Sequence, residues 1–293
     1  MANYLTRFLD IENKEFISLG GFNDLIKMRD GWMVYNKNDV FIGKSIKEYG
    51  EWAQGEIDLC RQILNTTDFV IEVGSNIGTH TLALSKIVNK GRVFAFEPQN
   101  VVFQNLCANI SINSITNCFC VNSALSEIKG EELYFPNYDF TKENNYGAMS
   151  FLKTSKSDYT IQANVDTLDD RFSDLNKLKL LKTDTEGMEV NIIKGGVDLI
   201  KRTKPILYLE NHVWFIEKSK ELIELLWSLD YRLFWHITPY YNKNNFLKNP
   251  VDIFKDFKLN FHCNMLGVRK DVKTNISLSE VKDSSSHPFV RQE

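Results

Sequence analysis

The chain has 293 residues and a formal net charge of −3, from 35 Lys and Arg against 38 Asp and Glu. That length allows one large domain or two small ones, and a 43% hydrophobic share can build a core without disulfides or a structural metal. The near balance of charge argues against a nucleic-acid partner. The five cysteines form no CxxC pair, and the sequence contains neither a secretory signal nor a stretch long enough to span a bilayer. We therefore expect a cytoplasmic protein with reduced thiols.

The first 50 residues contain short segments with strand character. Residues 32–35 and 40–42 are predicted strands on either side of a turn at 36–39. Residues 51–65 then place Ile57, Cys60 and Leu64 on one face of a helix. We interpret residues 1–50 as an N-terminal addition to a larger domain that spans residues 51–270.

Within that domain, apolar strands alternate with amphipathic helices. The predicted strands are residues 69–73, 93–96, 118–121, 178–183, 205–209, 232–237 and 265–268, and the predicted helices are 77–89, 99–112, 187–200 and 215–229. This alternation predicts an α/β fold with a doubly wound, mostly parallel sheet. Residues 126–165 interrupt it as an insertion or lid, the last two strands suit an antiparallel hairpin at one edge, and residues 271–293 are predicted to be a disordered tail.

The strongest local signal is a buried strand that runs into a glycine-containing turn and then a helix. Ligands of open parallel sheets bind at the carboxyl ends of strands, where glycine lets the backbone approach closely. The spacing Glu-x-Gly-x-x-x-Gly differs from the dinucleotide fingerprint, and an acid inside the strand suits a cationic cofactor such as S-adenosylmethionine. The candidate cofactor-binding residues here are Glu72, Gly74, Ser75, Asn76, Gly78 and Thr79.

Two further strand ends extend this prediction. Glu97 and Pro98 follow the second strand, and a carboxylate at that place accepts hydrogen bonds from both ribose hydroxyls while disfavouring a 2′-phosphate. Asn122, Ser123 and Ala124 follow the third strand and are candidates for lining an adenine.

Acidic residues also follow the next two strands. Asp184 and Glu186 end the fourth, where they face the predicted ligand crevice, whereas Glu189 is better explained as a cap of the following helix. Glu210 and His212 follow the next strand, and His212 is a candidate general base because its ordinary pKa is near neutrality.

These residues resemble the FkbM-type family of class I S-adenosylmethionine-dependent methyltransferases. The resemblance rests on residues 72–78, 96–98, 122–126 and 165–169, and above all on 182–196. It implies a Rossmann-like, seven-stranded sheet whose last strand is antiparallel, and O-methylation of a hydroxyl on a sugar, glycan or related natural product. Glu72 stands where Asp is more usual in this family.

The mechanistic hypothesis assigns a proton acceptor and orienting groups. Asp184 or His212 is the predicted general base, Glu186 and Glu210 orient the acceptor, and Asp184 also contacts the cofactor. No metal site is assigned, although acids holding a divalent cation are an alternative. The competing functions are an RNA or other nucleic-acid methyltransferase and an NAD-linked oxidoreductase on a similar sheet.

Overall fold

A computed structural model describes residues 16–289, so predictions for residues 1–15 and 290–293 lie outside the described part of the chain. The strands are β1 Phe16–Ser18, β2 Asn23–Met28, β3 Gly31–Asn36, β4 Phe69–Val73, β5 Arg92–Phe96, β6 Cys118–Val121, β7 Ala124–Leu125, β8 Tyr134–Pro136, β9 Thr160–Gln162, β10 Val165–Asp166, β11 Leu180–Thr183, β12 Ile206–Glu210, β13 Tyr231–Pro239, β14 Phe261–Arg269 and β15 Ser279–Glu280. The α-helices are α1 Ile42–Tyr49, α2 Gln54–Ile63, α3 Thr79–Ile87, α4 Asn100–Ile112, α5 Leu168–Arg171, α6 Glu189–Lys194, α7 Val197–Thr203 and α8 Ile216–Ser228.

The main sheet has the strand order β15-β13-β14-β12-β11-β4-β5-β6. Strands β6, β5, β4, β11 and β12 are parallel, and β14 is antiparallel to both β12 and β13. The predicted doubly wound, mostly parallel sheet is confirmed. The prediction that the last strand of the core sheet is antiparallel is also confirmed, and this strand is β14. The last two predicted strands form the expected antiparallel pair, β13–β14, at one end of the sheet. Strand β14 lies between β12 and β13, and the two-residue β15 adds an eighth strand beyond β13.

The sheet is buried on both faces, which explains why its strands are nearly continuous apolar runs. Ile71 and Leu181 belong to a core on one face, whereas their neighbours Val70 and Leu180 belong to a core on the other. Successive side chains of a strand point to opposite faces, so each strand contributes to both cores. Helices α6 and α8 supply the first core, and α2 and α3 supply the second.

The N-terminal strands form a separate antiparallel sheet, β1-β2-β3. The predicted strand at residues 40–42 is wrong, because Ile42 begins α1, and the hairpin turn lies at residues 29–30 between β2 and β3. Asp39 explains the difference. Its carboxylate accepts the backbone N–H groups of Phe41 and Gly43 at 2.9 and 3.1 Å, which favours a helix start at this point.

This small sheet is fastened to the main fold through α4. The buried Asn109 accepts a hydrogen bond from Val34 N at 2.6 Å and donates to the carbonyls of Val34 and Ile77 at 2.9 and 2.8 Å. One amide therefore links β3 both to α4 and to the turn that precedes α3.

Replacing Asn109 by alanine should lower the free energy of unfolding by about 2–4 kcal/mol, because it leaves buried backbone groups without partners. Asn105→Ala is the matched control, since the Asn105 amide faces the same sheet but, within residues 16–289, bonds only the side chain of Asn23. Urea denaturation of the two variants measures the difference. Equal losses would show that the Asn109 contacts add nothing specific.

Two other segments differ from their sequence predictions. The single helix expected over 187–200 is divided into α6 and α7 at Gly195 and Gly196. A Cβ on Gly195 would meet the carbonyl oxygen of Ser126 at 2.1 Å. The insertion over 126–165 contains the antiparallel pair β8–β9 and the short pairing of β7 with β10.

The segment after β14 is placed against the main sheet up to residue 289, unlike the disordered tail that was expected. Val281 is buried and donates its N–H to Leu233 O at 2.8 Å. His287 is buried with Nε2 at 3.0 Å from Asn211 O, and Phe289 stacks on Phe261. A few anchoring side chains thus hold a segment whose average composition is polar.

All five cysteines are unpaired, and no helix within residues 16–289 combines the length and apolarity needed to cross a bilayer.

Candidate active site

A cavity of about 460 Å³ opens at the carboxyl ends of β4, β5, β11 and β12. Strand order reverses beside β4, which has β5 on one side and β11 on the other, and open α/β sheets bind ligands at this switch point. The volume is within the range of small-molecule sites. The predicted site residues that line the cavity are Glu72, Gly74, Ser75, Asn76, Thr79, Glu97, Pro98, Asp184, Glu186, Glu210 and His212.

Four predicted cofactor residues lie away from the cavity lining. Gly78 is the left-handed N-cap of α3 and packs against Leu106. Asn122 donates to the carbonyls of Glu97 and Pro98 at 2.9 and 3.0 Å, so it holds that segment in place from behind. Ser123 Oγ and Ala124 N both donate to the carbonyl of Asn164, which immediately precedes β10. Their expected contact with an adenine stays a prediction.

The turn after β4 depends on one glycine. Gly74 has a φ of +83°, and a Cβ there would lie 1.9 Å from the carbonyl oxygen of Asp184. The N–H groups of Gly74 and Ser75 both donate to Phe96 O, at 3.0 and 2.9 Å. The end of β4 thus packs closely between the ends of β5 and β11. This packing places the glycine turn next to Asp184, at the end of β11.

Glu97 is buried at the end of β5 and faces the cavity. Its carboxylate accepts the N–H groups of Asn76 and Gln99 at 3.0 and 2.9 Å, one on each oxygen. Burial raises the pKa of Glu97 to about 7, although these two hydrogen bonds lower it. Each oxygen has a further lone pair, so the group can still accept hydroxyl donors from a ligand.

Glu72 is the second buried acid of this half of the cavity. Thr81 donates its hydroxyl to Glu72 at 2.6 Å, and burial raises the pKa of Glu72 to about 7, against the lowering effect of Lys182. A cation bound beside this carboxyl would favour its ionised form.

Asp184, Glu186 and Glu210 form the acidic wall on the other side. The N–H of Glu186 donates to Glu210 at 3.2 Å, and Glu186 has a φ of 53°, a left-handed conformation that side chains rarely adopt. Burial raises the pKa of Glu210 well above its ordinary value, and the charges of Glu186 and Asp184 add to this effect. Glu189 accepts from Thr185 N and Gly187 N of the preceding turn, whereas the expected side-chain cap of α6 is absent from the described residues.

His212 lines the cavity together with these acids. Its hydrogen bonding favours a ring whose Nε2 is a donor. Its Nδ1 accepts the N–H of Trp214 at 3.2 Å. The neutral ring therefore carries its proton on Nε2. The predicted role of His212 as a general base stays a prediction, and this geometry supports it poorly.

A polar network beside Asp184, from which His262 also lines the cavity, was missed by the sequence prediction. Lys182 Nζ lies 3.5 Å from Asp184 and 3.7 Å from Glu56, and His262 Nδ1 lies 2.6 Å from Glu56. Burial alone would raise the pKa of Glu56 and lower that of Lys182. The opposite charges reverse both shifts, so Glu56 is held well below and Lys182 above its usual value. Burial lowers the pKa of His80 to about 4.

One signal of this network was present in the sequence. Lys182 is a charged residue within the otherwise apolar run of β11, and burial of a lysine requires a partner. No comparable pattern marks Glu56 or His262. Aromatic side chains from outside the predicted motifs also line the cavity, namely Phe41, Trp52, Phe151, Trp214, Tyr240, Phe257, Phe261 and Phe289.

Two groups of side chains place three potential metal-ligand atoms within 4.8 Å of one another: Glu56, Asp184 and His262, and Glu186, Glu210 and His212. In the first group Lys182 already supplies a cation to both acids. In the second, Nδ1 of His212 is used by Trp214 N. Both groups are therefore already engaged in ion pairs or hydrogen bonds within the protein, which argues against metal binding. That the site holds no metal stays a prediction.

The reversed strand order, the antiparallel β14 and the cavity at the switch point define a Rossmann-like protein of the class I methyltransferase type. A family model described as the Methyltransferase FkbM domain matches residues 72–233, which is more than half of the chain. The chain belongs to this family of methyltransferases, as the sequence motifs predicted.

Individual relatives are more distant. Hexuronic acid methyltransferase AglP of Haloferax volcanii is 30% identical over 155 residues, which cover 50% of this chain and 59% of the relative. Methyltransferase sdnD of Sordaria araneosa is 25% identical over 167 residues, which cover 47% of this chain and 64% of the relative. The chain therefore spans about three fifths of the length of these relatives. The solved methyltransferase FkbM of Methylobacillus flagellatus KT shares 17% identity at a TM-score of 0.41, covering 69% of this chain and 44% of that one.

Proposed function

We propose that the protein is an S-adenosylmethionine-dependent O-methyltransferase that acts on a hydroxyl of a sugar, a glycan or a related natural product. The observation that carries the proposal is the position of Glu97. It is a buried carboxylate at the end of β5 that faces a cavity shared with the glycine turn of Gly74. Membership of the FkbM methyltransferase family supports the same conclusion.

The cofactor is assigned to the half of the cavity formed by β4 and β5. Glu97 would accept the two ribose hydroxyls, since its oxygens retain acceptor capacity beyond the bonds to Asn76 and Gln99. Glu72 would lie near the positively charged methionyl part, whose charge favours the ionised carboxylate. When bound, the cofactor supplies an already activated methyl group.

The acceptor is assigned to the half formed by the acidic wall and the aromatic residues. Asp184, Glu186 and Glu210 offer carboxylate oxygens that accept hydrogen bonds from hydroxyl groups. Aromatic rings line the cavity beside them, among them Trp214, Tyr240 and Phe257. Polyhydroxylated ligands with apolar ring faces match this combination, and the relative named as a hexuronic acid methyltransferase is consistent with it.

Calorimetry with S-adenosylhomocysteine, S-adenosylmethionine and NAD tests the cofactor, and transfer of a labelled methyl group to a panel of neutral sugars, uronic acids and sugar nucleotides tests the acceptor. We expect binding of both adenosyl ligands and label in at least one sugar. Binding of NAD alone would contradict the proposal and favour the oxidoreductase. Label transferred to RNA but to no sugar would favour a nucleic-acid methyltransferase. The cytoplasmic location stays a prediction.

A further inference from the structure

His262 differs from the other two histidines that line the cavity. Its Nδ1 lies 2.6 Å from Glu56 Oε1, and within residues 16–289 its Nε2 makes no hydrogen bond. His80 Nε2 contacts Trp52 O at 3.2 Å and its Nδ1 turns toward Glu56, whereas His212 Nδ1 accepts from Trp214 N. Among these rings, only His262 leaves a nitrogen free of protein hydrogen bonds while the other nitrogen is held by an acid.

The charge state of Glu56 decides the tautomer of His262. Glu56 is buried beside Lys182, which holds its carboxylate in the ionised form. An ionised carboxylate only accepts hydrogen bonds, so Nδ1 of His262 carries the proton. In the neutral ring, Nε2 therefore has a free lone pair, and this is the form that a general base requires.

The surroundings of the ring keep it in this orientation. Asn264 on the same strand donates to Glu56 Oε1 at 3.0 Å. The ring of His262 packs edge-on against Trp52 and Tyr240, with centroids 5.2 and 4.9 Å apart. An imidazole with one nitrogen bonded to an acid and two aromatic rings packed against it has little freedom to rotate.

We propose that His262 is the general base of the reaction and that Glu56 is the residue that positions it, an inference that rests on the proposed methyltransferase function. As the bond between the acceptor oxygen and the methyl carbon forms, the carbon–sulfur bond breaks and its electron pair neutralises the sulfonium. The proton of the acceptor hydroxyl passes to Nε2 of His262 and is later released to water. Asp184, paired with Lys182, then orients the acceptor.

The charged groups around His262 shift its pKa, so its ionisation should be visible in the pH dependence of turnover. Burial lowers the pKa of His262, but the hydrogen bond and the charge of Glu56 raise it above its ordinary value. Asp184 acts in the same direction, and Lys182 opposes it. Turnover should therefore rise with pH as His262 loses its proton. Replacing Glu56 by Gln should move this acid limb to lower pH, a shift that a merely structural role would not cause.

The first measurement is the tautomer, read from two-bond proton–nitrogen spectra of the full-length protein labelled at its five histidines. His262→Gln assigns the signal. We expect a neutral ring protonated on Nδ1, with a free Nε2. A ring protonated on Nε2 would overturn the proposal whatever the turnover shows.

The second measurement is methyl transfer to the acceptor that the wild-type protein modifies. His262→Gln should lower kcat by about 100-fold or more while S-adenosylhomocysteine affinity stays within about threefold. His236→Gln is the control, since His236 bonds Tyr208 and does not line the cavity. Unchanged kcat in His262→Gln would reject the base, whereas a wild-type protein that does not bind S-adenosylhomocysteine would reject the methyltransferase function itself.

Discussion

Replacing Gly74 by alanine is expected to reduce both the stability of the protein and its affinity for S-adenosylhomocysteine. The new Cβ would lie 1.9 Å from the carbonyl oxygen of Asp184, and neither backbone segment can move without separating β4 from β11. We expect a loss of about 3 kcal/mol or more in the free energy of unfolding and a more than about tenfold weaker affinity. Urea denaturation and calorimetry measure the two effects.

Gly130→Ala separates the contact from the backbone strain. Gly130 also has a positive φ, +73°, but no atom lies within 4 Å of the place that a Cβ would occupy there. Alanine at Gly130 should lower stability by only about 1 kcal/mol, through backbone strain, and should leave ligand affinity unchanged. Equal losses in both variants would show that the approach of β4 to Asp184 is not what requires the glycine.

Replacing Glu97 by glutamine should weaken S-adenosylhomocysteine binding by about 10- to 100-fold, because charge-assisted hydrogen bonds to the ribose are lost. The effect should also depend on pH. The pKa of Glu97 is about 7, and ribose donors favour its ionised form, so wild-type affinity should fall as the pH drops below about 7. The variant should lack this contribution. Calorimetry from pH 5.5 to 8.5 measures both.

The same acid should destabilise the ligand-free protein as the pH rises from about 4.5 to about 7. Its folded pKa of about 7 exceeds the ordinary value of 4.5, so the folded state holds a proton that the unfolded state has released between these values. Wild-type stability should therefore fall across this window by about 3 kcal/mol relative to Glu97→Gln. Thermal or urea unfolding at pH 4.5 and pH 8 checks the sign.

Asp169→Asn is the matched control for Glu97→Gln. Asp169 also accepts two backbone N–H groups, from Asp198 and Leu199 at 3.1 and 2.7 Å, but it does not line the cavity. Its replacement should leave ligand affinity unchanged. A comparable loss of affinity in both variants would argue against direct contact between Glu97 and the ligand.

Much of the fold was predictable because its strands and helices have strong periodic patterns. Residues 69–73 and 118–121 were assigned as strands with the bounds that β4 and β6 have in the structure. The errors occurred where a contact distant in the chain decides local structure. Gly195 breaks the helix because Ser126 lies against it, and Val281 is held by Leu233.

The candidate site divides in the same way. Residues at strand ends were found from the sequence alone, because parallel strands deliver their carboxyl ends to one edge of the sheet. Glu72, Glu97, Asp184 and Glu210 all line the cavity as that rule requires. Asn122 does not line the cavity, because its amide turns back to the carbonyl of Glu97, and its expected contact with an adenine stays a prediction.

By itself, then, the sequence determined the class of the sheet, the family and the acids around the cavity, since these follow from short periodic segments and local motifs. Only the tertiary structure decided which groups are paired. Glu56 and His262 are 206 residues apart, and they meet because β14 enters the sheet antiparallel beside β12 while α2 packs below it. No local pattern encodes that contact. Burial at that point is what gives the pair its chemistry, because removing the carboxylate and the imidazole from water makes their interaction strong.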